Sequence, residues 1–229
     1  IVVWYMRKKR EFLRQRFFQQ INRVRMENLR SRISPHFTFN VLGREINQFN
    51  GSEEVKHNLM ELVKYLRRSL ELTEKLSVSL QDELDFVRTY IELERGRVGE
   101  DFVATITVED GLDATRIMIP SMIVQIPVEN AIKHGLAGKD GKKELMVYVS
   151  RETNGIRITV TDNGRGYLPQ VVSATRGTGT GLKVLYQTIQ LLNTKNKSDK
   201  IRFNITNRSD GQTGTEVSVY IPFRFSYDL

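Results

Sequence analysis

Apolar residues recur at helical intervals through the first part of the chain. Leu13, Phe17, Ile21 and Val24 are spaced by four, four and three, and Leu29, Ile33, Phe37 and Val41 continue at fours. This spacing puts them on one face of a helix from about Glu11 to Gln48. The step of five between Val24 and Leu29 shifts the stripe sideways, and Pro35 within the run predicts a kink. Phe49-Asn50-Gly51-Ser52 reads as a turn, with a second helix from Glu53 to Leu72. Ser79 with Asp82 three residues on has the form of a capping box opening a third helix, which ends near Arg97-Val98-Gly99. Everything before Gly99 is expected to be helix.

After Gly99 the period changes. Phe102 to Val108 alternates as a strand, and Pro120-Ser121 is expected to open a helix through about Gly135. Leu145 to Ser150 and Ile156 to Thr161 read as strands separated by Thr153-Asn154-Gly155. A glycine-rich loop follows, then a helix from about Gly181 to Leu192 and strands at Ile201 to Thr206 and Thr215 to Ile221. Runs of strands with few helices imply an α+β fold, a two-layer sandwich with helices on one face of a mixed sheet. The chain therefore divides near Gly99 into a helical part, 7–98, and an α+β part, 99–229.

Composition narrows the function classes. The 229 residues are 39% hydrophobic and 27% charged, enough for a real core and inconsistent with wholesale disorder. With no cysteine there is neither a disulfide framework nor a thiolate metal site. The net charge of +8 has one source: Arg7 to Arg32 holds ten basic and two acidic residues, and the rest is neutral. Immediately before it, Ile1 to Met6 is apolar and includes Trp4 and Tyr5. Six residues cannot span a bilayer, which takes about 20, and the charges follow the apolar run where a signal peptide has them first. We read 1–6 as the end of a transmembrane helix lying mostly upstream, with a positive-inside cluster behind it. The start of an amphipathic helix is the alternative. On the membrane reading the basic run needs no nucleic acid, and none is expected as a partner.

Four segments carry candidate chemistry. In the strand Ile156 to Thr161, period two puts Ile156, Ile158, Val160 and then Asp162 on one apolar face. A carboxylate there is costly without a hydrogen-bonding partner, such as a ligand amine, although an Asp closing a strand in a turn is the commoner reason for one. Thr215 shares the inward face of Val217, Val219 and Ile221 in the same way. Ile123, Ile126, Asn130, Lys133 and His134 form a helical stripe that turns polar at Asn130. An amide and two basic groups suit a metal ion and phosphates, and they equally suit a helix end emerging into solvent. Arg176 to Lys183 is a glycine loop entering a helix, where backbone N–H groups can meet an anion; it has neither a Walker nor a Rossmann spacing. Finally, Ser34-Pro35-His36-Phe37-Thr38-Phe39-Asn40 offers an imidazole with an amide one turn away. His57, among polar neighbours, is read as a surface residue.

In this order, the four pieces resemble the sensor histidine kinases of the LytS/YehU type, whose ATP-binding module has the Bergerat, or GHKL, fold of gyrase, Hsp90 and MutL. The segment Ser34 to Asn40 is similar to the family's phosphoacceptor NPHFLFN with two substitutions, and Pro127 to Gly135 to its asparagine box. Asp162 to Gly166 matches the DNGxG box, Gly177 to Leu182 the last glycine box, and Gly214-Thr215 the closing GT. The resemblance runs from about Glu27 to Phe223.

The resemblance implies the roles. His36 would accept the γ-phosphoryl group of ATP, Asn130 would ligate Mg²⁺, and Glu129 would be a candidate base. Lys133 and His134 would approach the phosphates, and Asp162, with Thr215 nearby, would bind the adenine amino group. Gly164, Gly166, Gly177, Gly179 and Gly181 would shape the pocket and its lid. The family further implies a homodimer through the helical part, phosphoryl transfer to a response-regulator aspartate, and residence at the cell inner membrane with this part facing the cytoplasm. Thr38, Thr180 and the aromatic Phe37 after the acceptor depart from the family or from other histidine kinases, and the last leaves the activating base unassigned. Two other classes compete: a dimeric scaffold gated by ATP without phosphoryl transfer, and an ATP-hydrolysing clamp of the gyrase or MutL kind.

Overall fold

The computed structural model describes residues 52–167 and 180–227, save 195 and 197, together with Trp4 and Lys8. The helix expected over Glu11 to Gln48, with His36 and the kink at Pro35, lies outside the described residues, as do Gly177 and Gly179.

Ser52 caps the first described helix, its hydroxyl accepting from the Val55 N–H at 3.4 Å, and α1 runs Glu53–Glu74. A three-residue strand, β1 (Ser77–Ser79), separates it from α2 (Leu80–Val98). The Ser79 hydroxyl accepts from the Asp82 N–H at 3.0 Å and donates to Asp82 Oδ2 at 2.8 Å, and Gly99 at φ +114° ends the helix. The expectation of an all-helical part fails at β1, which pairs antiparallel with β3 (Met118–Pro120). Three residues are too few to show a period.

The main sheet has strands β2 (Phe102–Val108), β4 (Lys143–Glu152), β5 (Gly155–Asp162), β7 (Thr215–Pro222) and β6 (Arg202–Asn207), in that spatial order. The β2–β4 pair is parallel and the other pairs are antiparallel, so the sheet is mixed. On its helical face lie α2, α3 (Gln125–Asn130), a π-helical turn (Ala131–Gly135) and α4 (Thr180–Asn193). Leu84 and Val87 of α2, Val128 of α3, Ile132 of the π turn and Leu185 and Ile189 of α4 are buried with Val147, Ile158 and Val219 of the sheet. Each such side chain contributes about 1.5–3 kcal/mol. Val103, Met146 and Tyr148 stay exposed on the other face. The α+β sandwich expected from the sequence is the observed fold.

The helix expected from Pro120-Ser121 does not begin there. Pro120 ends β3, Met122 sits at φ +69°, outside the right-handed helical region, and α3 starts at Gln125. The Ser121 hydroxyl donates to the Leu72 carbonyl of α1 and its N–H to the Leu76 carbonyl, so a tertiary contact claims the residue that local pattern assigned to a helix. Among the described residues no helix is long and apolar enough to cross a membrane.

Candidate functional site

Asp162 closes β5 with its side chain inward, as period two requires, and is only 4% exposed. Two backbone groups serve its Oδ1: the Gly164 N–H at 2.7 Å and the Thr215 N–H at 3.4 Å. The side chain of Thr215 also acts to lower this acid. Even so, burial dominates and pushes the acid above its ordinary value. Neither backbone donor reaches Oδ2.

Three glycines make the surroundings of Asp162 possible. A β-carbon on Gly135 would stand 2.8 Å from Asp162 Oδ1, one on Gly164 would lie 2.1 Å from the Gly135 carbonyl oxygen, and one on Gly214 would lie 1.9 Å from the Asp162 carbonyl oxygen. The loop after β5 is docked on the π turn, with the Arg165 N–H donating to the Gly135 carbonyl at 3.3 Å. Gly166, at φ +87°, presses against the side chain of Asn207, whose Oδ1 accepts from the Tyr167 N–H at 2.6 Å. Asn163 pins the same loop from the other side: its Oδ1 accepts from the Glu144 N–H at 2.8 Å and its Nδ2 donates to the Lys142 carbonyl at 3.0 Å.

The polar stripe expected along one regular helix is broken in two. Ile123 precedes α3, and the π turn widens the spacing from Ala131 onward. Single π turns are frequent at functional sites. Asn130 ends α3 half-buried, with its Nδ2 donating to the Ile126 carbonyl at 2.7 Å, which leaves Oδ1 as its acceptor atom. Gly181 in the first turn of α4 faces it: a β-carbon there would lie 3.7 Å from Asn130 Nδ2 and 3.3 Å from Ile126. Lys133 and Glu129, assigned separate roles in the sequence, are paired at 2.7 Å. His134 is half-buried beside them in the π turn. Among the described residues no group of three or more His, Asp or Glu side chains could hold a metal ion by itself.

Asp162, Gly164 and Thr215 thus meet Gly135 at the end of the Glu129-to-His134 segment, and Asn130 meets Gly181. His57 is exposed on α1, as read from its polar neighbours. Gly135 and Gly214 fall inside the matched motifs but carry no site role there, and Asn207 lies outside them. A glycine's close approach to a distant carboxylate leaves no local signal, and Asn207 ends an ordinary strand.

Residues 24–102 match the family described as Histidine kinase, and residues 115–224 match the family of Histidine kinase-, DNA gyrase B- and HSP90-like ATPases. The chain is 28% identical over 205 residues to the Escherichia coli protein named sensor histidine kinase YpdA, covering 89% of this chain and 35% of that one. It is 32% identical over 197 residues to the Staphylococcus aureus protein named sensor histidine kinase/phosphatase LytS, covering 82% of this chain and 33% of that one. The chain thus spans about a third of the length of the curated relatives it matches. Among solved structures, the histidine kinase domain of the Erythrobacter litoralis EL346 blue-light activated histidine kinase aligns over 90% of this chain and 94% of that one, at 15% identity and a TM-score of 0.49. With both family matches falling in sequence order across its length, the chain belongs to the sensor histidine kinases of the LytS type, with an ATP-binding domain of the gyrase B and HSP90 kind.

Proposed function

We propose that this chain is the kinase part of a two-component receptor: it binds Mg-ATP, phosphorylates His36 and passes the phosphoryl group to an aspartate of a response regulator. The single observation that carries the nucleotide reading is the buried carboxyl of Asp162, held by backbone donors on one oxygen and walled by glycines where any side chain would intrude. Such a group reads an exocyclic amine, the feature that separates adenine from hypoxanthine. Asn130, Lys133, His134 and the start of α4 with Gly181 then take the phosphate end, together with Gly177 and Gly179, which precede it in sequence.

The chemistry is positioning and charge neutralisation. An imidazole nitrogen of His36 attacks the γ-phosphorus, the bond from phosphorus to the bridging oxygen breaks, and ADP leaves. The proton on His36 goes to a base, for which Glu129 is the candidate. Its pairing with Lys133 holds the two side chains together, close to where the phosphates would lie. Mg²⁺, when bound, supplies charge neutralisation on the phosphates; the Asn130 amide oxygen would hold it, the rest of its shell coming from phosphate oxygens and water, as is usual for this ion.

In this reading residues 7–98 form the dimerisation and phosphoacceptor region, 99–229 the nucleotide domain, and 1–6 the end of a membrane anchor facing the cytoplasm. The half-buried aliphatic residues Leu59, Leu62 and Leu66 along α1 support pairing with a second copy. Incubation with γ-labelled ATP and Mg²⁺ tests the reading: wild type becomes labelled with acid-labile phosphate, and His36→Gln does not. Equal labelling of both proteins would refute it. Strong ATP binding that never leads to labelling would favour the nucleotide-gated scaffold instead.

A further inference from the structure

Glu83 of α2 is fully buried at 0% exposure, and it faces the segment that leads into α3. Its Oε2 accepts from the Met122 N–H at 3.0 Å, and its Oε1 accepts from Val124 N–H at 3.1 Å and Gln125 N–H at 3.2 Å. A carboxylate stripped of water is tolerable only when donors replace the lost hydration, and here three backbone groups do so. The arrangement has a steric cost on the other side. Met122 sits at φ +69°, a conformation that a non-glycine residue avoids, and in it the Met122 N–H meets Oε2.

We propose that Glu83 is a positioning residue for the nucleotide site: by gripping Met122, Val124 and Gln125 it fixes where α3 begins, and so where Asn130 at its end stands. The inference rests on the nucleotide reading above and adds a residue to it. Glu83 lies on α2, whereas the backbone it holds belongs to the nucleotide side, so the carboxylate joins the two parts of the chain beside the Ser121–Leu72 and Gln125–Tyr65 hydrogen bonds. The adenine end meets this segment only at Gly135, beyond Asn130, and has supports of its own, since Asp162 and Thr215 are held by β5 and β7.

This separation gives a test that a general loss of stability cannot imitate. In Glu83→Gln, either orientation of the amide turns one acceptor into an NH₂ facing a backbone N–H, with little change of shape. The full chain, as wild type, Glu83→Gln, and Glu83→Gln with Met122→Gly, is titrated with adenosine and separately with Mg-ATP, and amide exchange is followed at Met122, Val124 and Gln125. For Glu83→Gln we expect faster exchange at these amides, Mg-ATP affinity lower by about tenfold, and adenosine affinity unchanged within about twofold. In the double variant glycine holds φ +69° without steric cost, which restores the melting temperature and keeps the comparison readable should the single variant unfold. Equal losses for both ligands, or Mg-ATP binding unchanged in a variant with faster exchange, would overturn the positioning role alone. Wild type that binds neither ligand would overturn the nucleotide reading and this inference with it.

Discussion

Gly135 of the π turn and Asp162 at the end of β5 are in contact so close that a β-carbon on the glycine would stand 2.8 Å from the carboxylate oxygen Oδ1. The contact joins the asparagine-bearing segment to the sheet, so any residue larger than glycine must separate them. Gly135→Ala should cost about 1–3 kcal/mol of stability, the usual range for overpacking, and should weaken ATP binding further than that loss accounts for. Thermal melting with and without ATP measures both. An alanine variant that melts and binds as wild type does would show that the junction has slack.

Asp162 itself is predicted to serve binding at the expense of the fold. Burial raises its carboxyl above the ordinary 3.8, so the folded chain keeps a proton there that the unfolded chain has already released. Stability from this group therefore falls as pH rises from 3.8 through the raised folded value, and the cost of the buried charge is complete above it. Asp162→Asn removes this component and keeps an acceptor for the Gly164 N–H. At pH 7 the variant should unfold at the same denaturant concentration as wild type or a higher one, and its stability should lack the decline that begins near 3.8. A variant clearly less stable at pH 7 would make Asp162 a structural residue.

Lys133 and Glu129 pair at 2.7 Å while 37% and 23% exposed. An ion pair so open to water contributes about 0–1 kcal/mol. Lys133→Met should leave the melting temperature nearly unchanged and weaken ATP more than adenosine. Losing both ligands by the same factor would place Lys133 away from the phosphates.

Two tyrosines packed together are predicted to respond in opposite ways. The Tyr65 and Tyr90 rings lie 5.7 Å apart, centre to centre. The Tyr65 hydroxyl accepts from Gln125 Nε2 at 3.0 Å, whereas the Tyr90 hydroxyl is buried with no hydrogen-bond partner among the described residues. Tyr65→Phe leaves the Gln125 amide without that acceptor and should cost about 1–3 kcal/mol. Tyr90→Phe removes an unpaired hydroxyl and should be neutral or stabilising. Denaturant unfolding of the two variants decides it, and the opposite order would contradict the hydrogen bonding described here.

The sheet was legible in the sequence because period two is a local signal. Phe102 to Val108 is the observed β2; β4 runs two residues and β5 one residue past the expected bounds at each end, β7 runs one residue further, and β6 is displaced by one residue. The same alternation put Asp162 on the inward face, where it is found. What escaped was set by contacts between distant residues. β1 and β3 are three residues each and exist through one another. The start of α3 is moved from Ser121 to Gln125 by Glu83 and by the Leu72 carbonyl, both some forty residues or more away in sequence. The roles of Gly135 and Gly214 likewise depend on Asp162 arriving beside them.

The most direct test of the account compares two nucleotides that differ at the position Asp162 is held to read. ATP carries an amino group on the purine ring where ITP carries an oxygen. Wild type should bind ATP about tenfold or more tighter than ITP, because a buried acceptor facing an oxygen is left unpaired, and Asp162→Asn should narrow that ratio. Equal affinity of wild type for ATP and ITP would contradict it.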